Sequence, residues 1–216
     1  MNSWSREAWE AAQPIYRKIT QHPFVEELAR GTLAPERFRF YLRQDSLYLA
    51  SYAKVLAHIA SRLTQRAQIA DFVRFASDGI AVEEALHGSF LGGEVPAPDE
   101  ISPTCLLYTS VLLAQATAPV EVEAAAVLPC FWIYQRVGEE ILARQNDTPN
   151  PYARWIETYA DPAFAASTAR AIAVCDSLAA ASGPEIRQRM TDIFVRCARM
   201  EWLFWESAYE LEEWKI

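Results

Sequence analysis

Residues 122–142 read VEAAAVLPCFWIYQRVGEEIL, and this stretch decides the fold. Its apolar residues return at the three- and four-residue steps of an α-helix, in the series Val122, Ala126, Ile133, Val137 and Ile141. Pro129 lies inside this helix, where it has no N–H to donate to the carbonyl of Ala125. The stretch is therefore predicted to be a long core helix with one irregular turn.

Cys130 follows the proline, and Tyr134 and Gly138 lie four and eight residues further along the same helical face. A thiol, a phenol and a residue without a side chain in one line indicate a cavity beside the helix. The alternative is that Cys130 is a small buried hydrophobic residue and that Pro129 is a tolerated kink. Taken alone, the stretch favours the alternative.

The composition predicts a soluble globular protein, with one domain over residues 1–216. Hydrophobic residues make up 51% of the chain and charged residues 22%. There are only seven glycines, and runs of β-branched residues are scarce, so we expect helices and no strand. The formal net charge of −8 argues against nucleic acid as a partner, because nucleic-acid binding needs a basic face.

The sequence shows neither a membrane-spanning run nor a secretory signal pattern. No apolar run approaches the roughly 20 residues that span a bilayer, and the N-terminal residues lack the charged-then-apolar order of a signal peptide. The four cysteines are widely spaced, which argues against both a disulfide framework and a zinc site; they are Cys105, Cys130, Cys175 and Cys197. We therefore expect reduced thiols in a cytoplasmic protein.

Prolines and capping residues divide the chain into about seven long or medium helices. The predicted helices cover residues 5–21, 24–30, 35–61, 65–90, 103 onward, 122–142, 151–159, 162–182 and 184 onward. Pro14 is expected to kink or split the first helix. The architecture is predicted to be an all-α bundle.

Three of these helices carry ionisable residues on their apolar faces. Asp45 lies between Tyr41 and Tyr48, and Glu201 follows Cys197 in the apolar series of the last helix. A buried carboxylate is costly unless it is paired or hydrogen-bonded, so each is either a satisfied core residue or a functional group. Glu83 and His87 stand four residues apart, a spacing that suits a structural pair better than half of a metal site.

Together these residues describe a polar pocket with aromatic walls. Two carboxylates and the Cys130 thiol would be accompanied by Tyr48, Tyr108, Tyr134 and Tyr159. Aromatic faces stack on a flat ring, and carboxylates bind ring nitrogens and amino groups. The carboxylates would raise the pKa of the thiol, so nucleophilic attack would have to be coupled to proton transfer.

The chain resembles the TenA family, or thiaminase II, in the subclass with an active-site cysteine. The resemblance covers nearly the whole length. It is carried by His22-Pro23-Phe24-Val25, Gly31-Thr32-Leu33, residues 40–48 with Gln44-Asp45-Ser46, residues 83–87, Ser102-Pro103-Thr104, Tyr108-Thr109-Ser110, Leu128-Pro129-Cys130-Phe131-Trp132, Val137-Gly138-Glu139, Trp155-Ile156, Thr158-Tyr159, and Glu201 with Phe204-Trp205 and Ala208-Tyr209.

The resemblance implies a haem-oxygenase-like helical bundle without haem or other cofactor or metal, assembled as a homotetramer. It implies hydrolysis of 4-amino-5-aminomethyl-2-methylpyrimidine to the hydroxymethyl pyrimidine, and cleavage of thiamin into that pyrimidine and a thiazole. Cys130 would be the nucleophile, Glu201 the acid/base and Asp45 the group that binds the amino edge of the ring. The resemblance assigns the pocket wall to Tyr48, Tyr108, Tyr134, Tyr159 and Phe204.

Three residues depart from the family pattern and are expected to alter the pocket wall: Gln135, Leu106 and Leu107. Two other functions remain to be weighed. A di-iron oxygenase would use Glu83, His87, Asp45 and Glu201 as ligands, but the chain has only three histidines. A DNA-binding regulator would need a basic recognition helix, which the sequence lacks.

The tryptophans bear on assembly. The chain has seven, more aromatic bulk than one small core needs. Some are therefore expected to cover an interface between subunits, with Trp132, Trp155, Trp202, Trp205 and Trp214 as candidates.

Overall fold

The computed structural model describes the backbone of residues 3–92, 94–145 and 149–215, and their side chains except those of 81–85, 87 and 89. Nine α-helices and no strand occur in these residues. The helices are α1 (Trp4–Thr20), α2 (Pro23–Arg30), α3 (Pro35–Arg62), α4 (Arg66–Phe90), α5 (Pro103–Leu113), α6 (Val120–Ala143), α7 (Ala153–Tyr159), α8 (Pro162–Ala180) and α9 (Pro184–Tyr209). The all-α prediction is confirmed, and α2 and α7 are the two short helices.

Caps and prolines begin the helices where the sequence places them. The Ser102 hydroxyl accepts a hydrogen bond from the Cys105 amide, and Asp161 accepts one from Ala163. Gly31 ends α2 at φ +69°, in the left-handed region that favours glycine. Each of these side chains or conformations satisfies backbone groups that a helix end leaves without partners.

One predicted boundary is wrong, and one of the two alternatives for α1 is excluded. Helix α1 runs through Pro14 as one helix, so the proline does not split it. Helix α7 begins at Ala153 and not at Pro151, because the Asn150 side chain is used differently. Its amide nitrogen donates to the carbonyls of Leu28 and Ala29, and its oxygen accepts from the Tyr152 amide. Asn150 thus ties the loop to the end of α2.

The predicted apolar faces of α3 and α9 are confirmed. In α3 the whole series is buried: Phe38, Tyr41, Asp45, Tyr48, Tyr52, Val55 and Ile59. In α9 the buried series includes Cys197, Glu201 and Phe204. In α4 the helical period predicts an apolar face through Ile69, Phe72, Ala76 and Ile80. This is wrong at Ile80, which is 46% exposed, while Phe75 is buried. The side chains of Glu83 and His87 lie outside the described residues.

Helix α6 lies at the centre of the bundle. It packs against α9, α8 and α7, and α3 packs against α4 and α5. Helices α3 and α6 are also joined by Glu123, which is 1% exposed. Its carboxylate accepts from Arg62 at 2.6 Å and lies 2.7 Å from His58. This charged cluster holds the two helices that carry Asp45 and Cys130.

Two of the five tryptophans that were candidates for a subunit interface lie in the core. Trp155 and Trp205 are fully buried inside the bundle, so neither can cover an interface. Trp132 and Trp202 are half-buried, and Trp214 is 47% exposed. The core therefore absorbs more aromatic volume than we expected.

One stretch of the described residues, Ala153–Ala180, is long and apolar enough to cross a membrane by length and composition, with a mean hydropathy of 1.2. It is two helices, α7 and α8, separated at Ala160 and Asp161. Arg170 in α8 pairs with Asp71 at 3.4 Å, and Asp176 accepts two hydrogen bonds from Ser5. These contacts tie α8 to the bundle.

Candidate active site

Cys130 lies on α6 immediately after Pro129, and α6 continues through the proline without a break. In the same turn the Tyr52 hydroxyl of α3 donates a 2.8 Å hydrogen bond to the carbonyl of Val127. The irregular turn predicted from the proline is therefore joined to α3 by a side chain. This places the thiol between α6 and α3.

A cavity opens beside Cys130. Its volume, counted as the space open to the centres of water molecules, is about 80 Å³. The described residues that line it are Asp45, Leu49, Tyr52, Phe75, Asp78, Gly79, Cys130, Phe131, Tyr134, Tyr159, Phe164 and Ser167. Its wall is mostly apolar and aromatic, with a thiol, hydroxyls and two carboxylates.

The Cys130 thiol is in an environment that keeps it protonated. Burial raises its pKa well above the usual value, and the neighbouring charges of Glu201 and Asp45 raise it further. The hydroxyls of Tyr48 and Tyr52 act in the opposite direction and lower the pKa. The Tyr48 hydroxyl is buried and makes no regular hydrogen bond within the described residues. A thiolate would need a proton acceptor to form here.

Glu201 lies behind the cavity wall, with 1% of its surface exposed. The Tyr108 hydroxyl of α5 donates a 2.6 Å hydrogen bond to its Oε1 atom. Burial raises the pKa of Glu201 to about 8, the Tyr108 hydrogen bond lowers it, and the charge of Asp45 raises it. Glu201 is therefore mostly a neutral carboxylic acid at pH 7, which can give a proton away.

Asp45 is buried, as the helical period of α3 predicts. It is 4% exposed and lines the cavity together with Cys130. The next residue towards the N-terminus, Gln44, spans the start of α5: its amide donates to the Glu100 carbonyl and its oxygen accepts from the Ser102 amide. Gln44 thus fixes α3 against the helix that carries Tyr108.

Aromatic side chains form the opposite wall. The rings of Tyr134 and Tyr159 lie 4.9 Å apart. Trp155 donates to the Tyr41 hydroxyl at 3.3 Å, and that hydroxyl donates to Tyr134 at 3.4 Å. The Tyr134 hydroxyl thus accepts one hydrogen bond from the core and can still donate one.

Gly138 makes the Tyr159 position possible. A Cβ atom at Gly138 would lie 2.7 Å from the backbone carbon of Tyr159 and 2.8 Å from its Cβ. Helix α6 therefore approaches the end of α7 more closely than any residue with a side chain would allow. The space that the sequence predicted Gly138 to clear is filled by Tyr159.

The structure brings the predicted residues together in two layers. Asp45, Cys130, Tyr134 and Tyr159 line the cavity. The remaining predicted residues form a second layer behind it: Tyr48 packs on Tyr108 and Phe204 with ring separations of 4.9 and 5.8 Å, and Tyr108 holds Glu201.

Sequence reasoning missed Tyr52, Phe75, Phe131 and Phe164 as wall residues. Tyr52 could have been found, because it follows Tyr48 by one turn on the same buried face. The expectation that Leu106, Leu107 and Gln135 alter the pocket wall is wrong. Leu106 and Leu107 are 41% and 48% exposed, and Gln135 donates to Glu139 on α6.

Within the described side chains, no group of three histidine, cysteine, aspartate or glutamate residues is arranged to hold a metal ion. Of the four ligands that a di-iron site would use, Asp45 and Glu201 are described and approach the cavity from different layers. Glu83 and His87 lie outside the described side chains.

We expect Gly138→Ala to destabilise the protein by about 1–3 kcal/mol, because the added methyl group overpacks against Tyr159. Gly88→Ala on α4 is the matched control, since a Cβ there meets nothing within 4 Å and alanine favours a helix by about 1 kcal/mol over glycine. Urea denaturation measures both. Equal stability changes in the two variants would contradict the close approach.

Glu201 should make the protein less stable as pH rises. Its folded-state pKa of about 8 exceeds the ordinary value of 4.5, so between these values the folded state holds a proton that the unfolded state has released. The free energy of unfolding therefore falls from pH 4.5 towards pH 8 by a few kcal/mol, at about 1.36 kcal/mol for each pKa unit.

Glu201→Gln cannot ionise and should remove that fall, whereas Glu157→Gln, at an exposed site on α7, should keep it. Denaturation series at several pH values measure the difference. The single variant Tyr108→Phe, which keeps Glu201, should raise the Glu201 pKa further, because it removes the hydrogen bond that lowers this pKa. A Glu201→Gln variant with the wild-type pH dependence would show that Glu201 ionises normally.

Comparison with known proteins places this arrangement in a family. The sequence matches the model of the TENA/THI-4/PQQC family over residues 9–211. It is 34% identical over 218 residues to the aminopyrimidine aminohydrolase of Bacillus subtilis, with 98% of this chain and 92% of that protein covered.

Two further likenesses agree. The chain is 35% identical over 211 residues to the thiamine biosynthesis multifunctional protein ThiED of Corynebacterium efficiens, and it covers 28% of the length of that protein. The structure matches a TenA homologue from P. horikoshii OT3 with a TM-score of 0.86 and 28% identity, covering 97% and 99% of the two chains. The bundle is the helical haem-oxygenase-like fold. The chain belongs to the TENA/THI-4/PQQC family.

Proposed function

We propose that this chain is a hydrolase of thiamin salvage. It converts 4-amino-5-aminomethyl-2-methylpyrimidine to the 5-hydroxymethyl pyrimidine, and it cleaves thiamin to the same pyrimidine and a thiazole. The observation that carries the proposal is that Cys130 and Asp45 open on one aromatic cavity while a protonated Glu201 lies in the layer behind it. The aminopyrimidine aminohydrolase named above supports the same reaction.

The cavity suits a flat aminopyrimidine ring. Tyr134 and Tyr159 offer aromatic surface to stack on the ring. The Asp45 carboxylate, at the inner wall, accepts hydrogen bonds from the amino edge of the pyrimidine. These contacts hold the ring with one of its carbons within reach of the Cys130 sulfur, which makes the attack intramolecular in effect.

Catalysis begins with an addition. The Cys130 sulfur forms a bond to a ring carbon and its proton passes to a carboxylate of the site. Glu201 gives its own proton to a ring nitrogen, and this protonation makes the ring a better electrophile. Both the thiol and the Glu201 acid are neutral before the step because burial penalises their charged forms.

The second stage replaces the leaving group. The adduct expels the amine, or the thiazole, from the methylene carbon at position 5. Water adds to that carbon and gives a proton to Glu201. The carbon–sulfur bond then breaks as the ring becomes aromatic again, the carboxylate that took the thiol proton returns it to the sulfur, and the ring nitrogen releases its proton to the ammonia or to solvent. Overall, one water is consumed, the carbon–nitrogen bond is broken and the Cys130 thiol is regenerated.

We expect Cys130→Ser to lose nearly all turnover of the aminopyrimidine and still bind the hydroxymethyl product, because a hydroxyl is a far weaker nucleophile at neutral pH. Cys175→Ser is the matched control. Cys175 is buried on α8 and does not line the cavity, so this variant should keep kcat near the wild-type value. Glu201→Gln should lose turnover while keeping the shape of the site. Steady-state kinetics and product titration measure all three.

A Cys130→Ser enzyme with more than about a tenth of wild-type kcat would have lost less than ~1.4 kcal/mol of transition-state stabilisation. That result would rule out covalent catalysis by Cys130. Loss of activity in Cys175→Ser at unchanged stability would likewise show that the cavity next to Cys130 is not the reacting site.

We further propose a cytoplasmic homotetramer. Three leucines of α5 support an assembly: Leu106, Leu107 and Leu113 are 41%, 48% and 50% exposed. Exposed leucines grouped on one short helix are typical of surfaces that become covered. Light scattering at micromolar concentration should report four times the mass of the chain, and the double variant Leu106→Glu, Leu107→Glu should lower it. A wild-type protein that is monomeric in this measurement would refute the proposal.

A further inference from the structure

The charged side chains that line the cavity have one sign among the described residues. Among the described side chains that line it are two carboxylates, Asp45 and Asp78, and no lysine, arginine or histidine. Asp45 is almost fully buried, whereas Asp78 is exposed. The cavity thus carries one carboxylate at its inner end and a second at its solvent edge.

The solvent edge is built from two helices. Helix α4 contributes Phe75, Asp78 and Gly79, and helix α8 contributes Phe164 and Ser167. Gly79 leaves open space beside Asp78, since a Cβ atom there would meet nothing within 4 Å. The described residues therefore leave room on the Asp78 side of the mouth for a ligand group attached to the ring.

One cationic side chain lies close to this edge but is engaged elsewhere. The Arg170 guanidinium pairs with Asp71 at 3.4 Å and donates to the Ser167 hydroxyl at 2.9 Å. It also stands 5.8 Å from the centre of the Phe75 ring. Arg170 does not line the cavity, so its charge is committed to Asp71 and Asp78 is left to set the sign of the mouth.

The leaving group must face this mouth. The aromatic walls and Asp45 hold the ring inside, and the group that departs from the 5-methylene carbon needs a route to solvent. In both proposed substrates that group is cationic: an ammonium in the aminopyrimidine at neutral pH, and a thiazolium in thiamin. An exposed carboxylate at the mouth attracts such a group before and during the reaction.

We infer that Asp78 is a specificity-determining residue that selects pyrimidines with a positively charged 5-substituent over neutral ones. The inference rests on the proposed function and adds a role for the mouth of the cavity. It also accounts for product release, because the hydroxymethyl product is neutral and loses the attraction to Asp78. Since Asp78 is exposed, water and salt screen its charge, and the effect is several-fold.

Binding to the Cys130→Ser protein tests the inference without turnover. Calorimetry at low ionic strength compares the aminomethyl pyrimidine, which is cationic, with the hydroxymethyl pyrimidine, which is neutral. Adding Asp78→Asn should weaken binding of the cation about three- to fivefold and leave binding of the neutral compound unchanged. In the parent protein, raising the salt concentration should reduce the preference for the cation.

Asp192→Asn is the matched control, because it removes the same charge from an exposed site on α9 away from the cavity. It should change neither affinity. In the active enzyme, which keeps Cys130, Asp78→Asn should raise the KM for the aminopyrimidine and change kcat little, because Asp78 touches no reacting atom.

The outcomes are separable. A selective loss for the cation in Asp78→Asn, absent from Asp192→Asn, supports the inference. If Asp78→Asn changes the affinity of neither compound, the inference is overturned and the proposed function still stands. If neither pyrimidine binds the Cys130→Ser protein and the wild-type protein shows no turnover, both the proposed function and the inference are overturned.

Discussion

The burial of one carboxylic acid constrains the rest of this structure. Glu201 sits in the middle of the bundle with a tyrosine hydroxyl as its hydrogen-bond donor within the described residues. An ionised carboxylate in such a place would be costly, so the bundle is arranged to keep the group neutral near pH 7. A folded state that depends on a protonated glutamate loses stability at higher pH, and it holds a neutral acid behind the cavity wall.

Tyr108 can hold Glu201 only if α5 is fixed. The start of that helix is held on two sides: the Gln44 side chain bridges it to α3, and the Glu212 carboxylate accepts from the Thr104 amide and hydroxyl. The residue after Gln44 is Asp45, which lines the cavity. The Gln44 bridge between α3 and α5 therefore helps to position both Glu201 behind the wall and Asp45 inside the cavity, which preorganises the site.

The thiol and the acid share one chemical problem. Burial and the neighbouring carboxylates raise the pKa of Cys130, just as burial raises that of Glu201. Neither group is poised to react alone. In the proposed reaction, a ring bound beside Cys130 accepts the sulfur while Glu201 supplies a proton from behind the wall, so the environment that suppresses the free thiolate is compatible with the coupled reaction. In the proposed binding mode, the aromatic wall stacks on the ring and the mouth with Asp78 faces the cationic group.

Local patterns in the sequence determined most of the helices and the inner site. Proline and capping residues set the helix starts, as at Ser102 and Asp161, and the helical period placed Asp45, Glu201 and Cys130 on inward faces. Gly138 predicted open space beside α6, because glycine destabilises a helix and is expected on a buried helical face mainly where another group comes close.

Only the tertiary structure decided what fills that space and where the cavity ends. Tyr159 reaches Gly138 because α7 docks on α6, and Asp78, Phe164 and Ser167 meet at the mouth because α4 and α8 converge there. The period within α4 even placed Ile80 inside, whereas it is exposed. A helical period fixes which residues share a face of one helix. It does not fix how helices distant in sequence are rotated against each other, because that depends on the packing of all their side chains together.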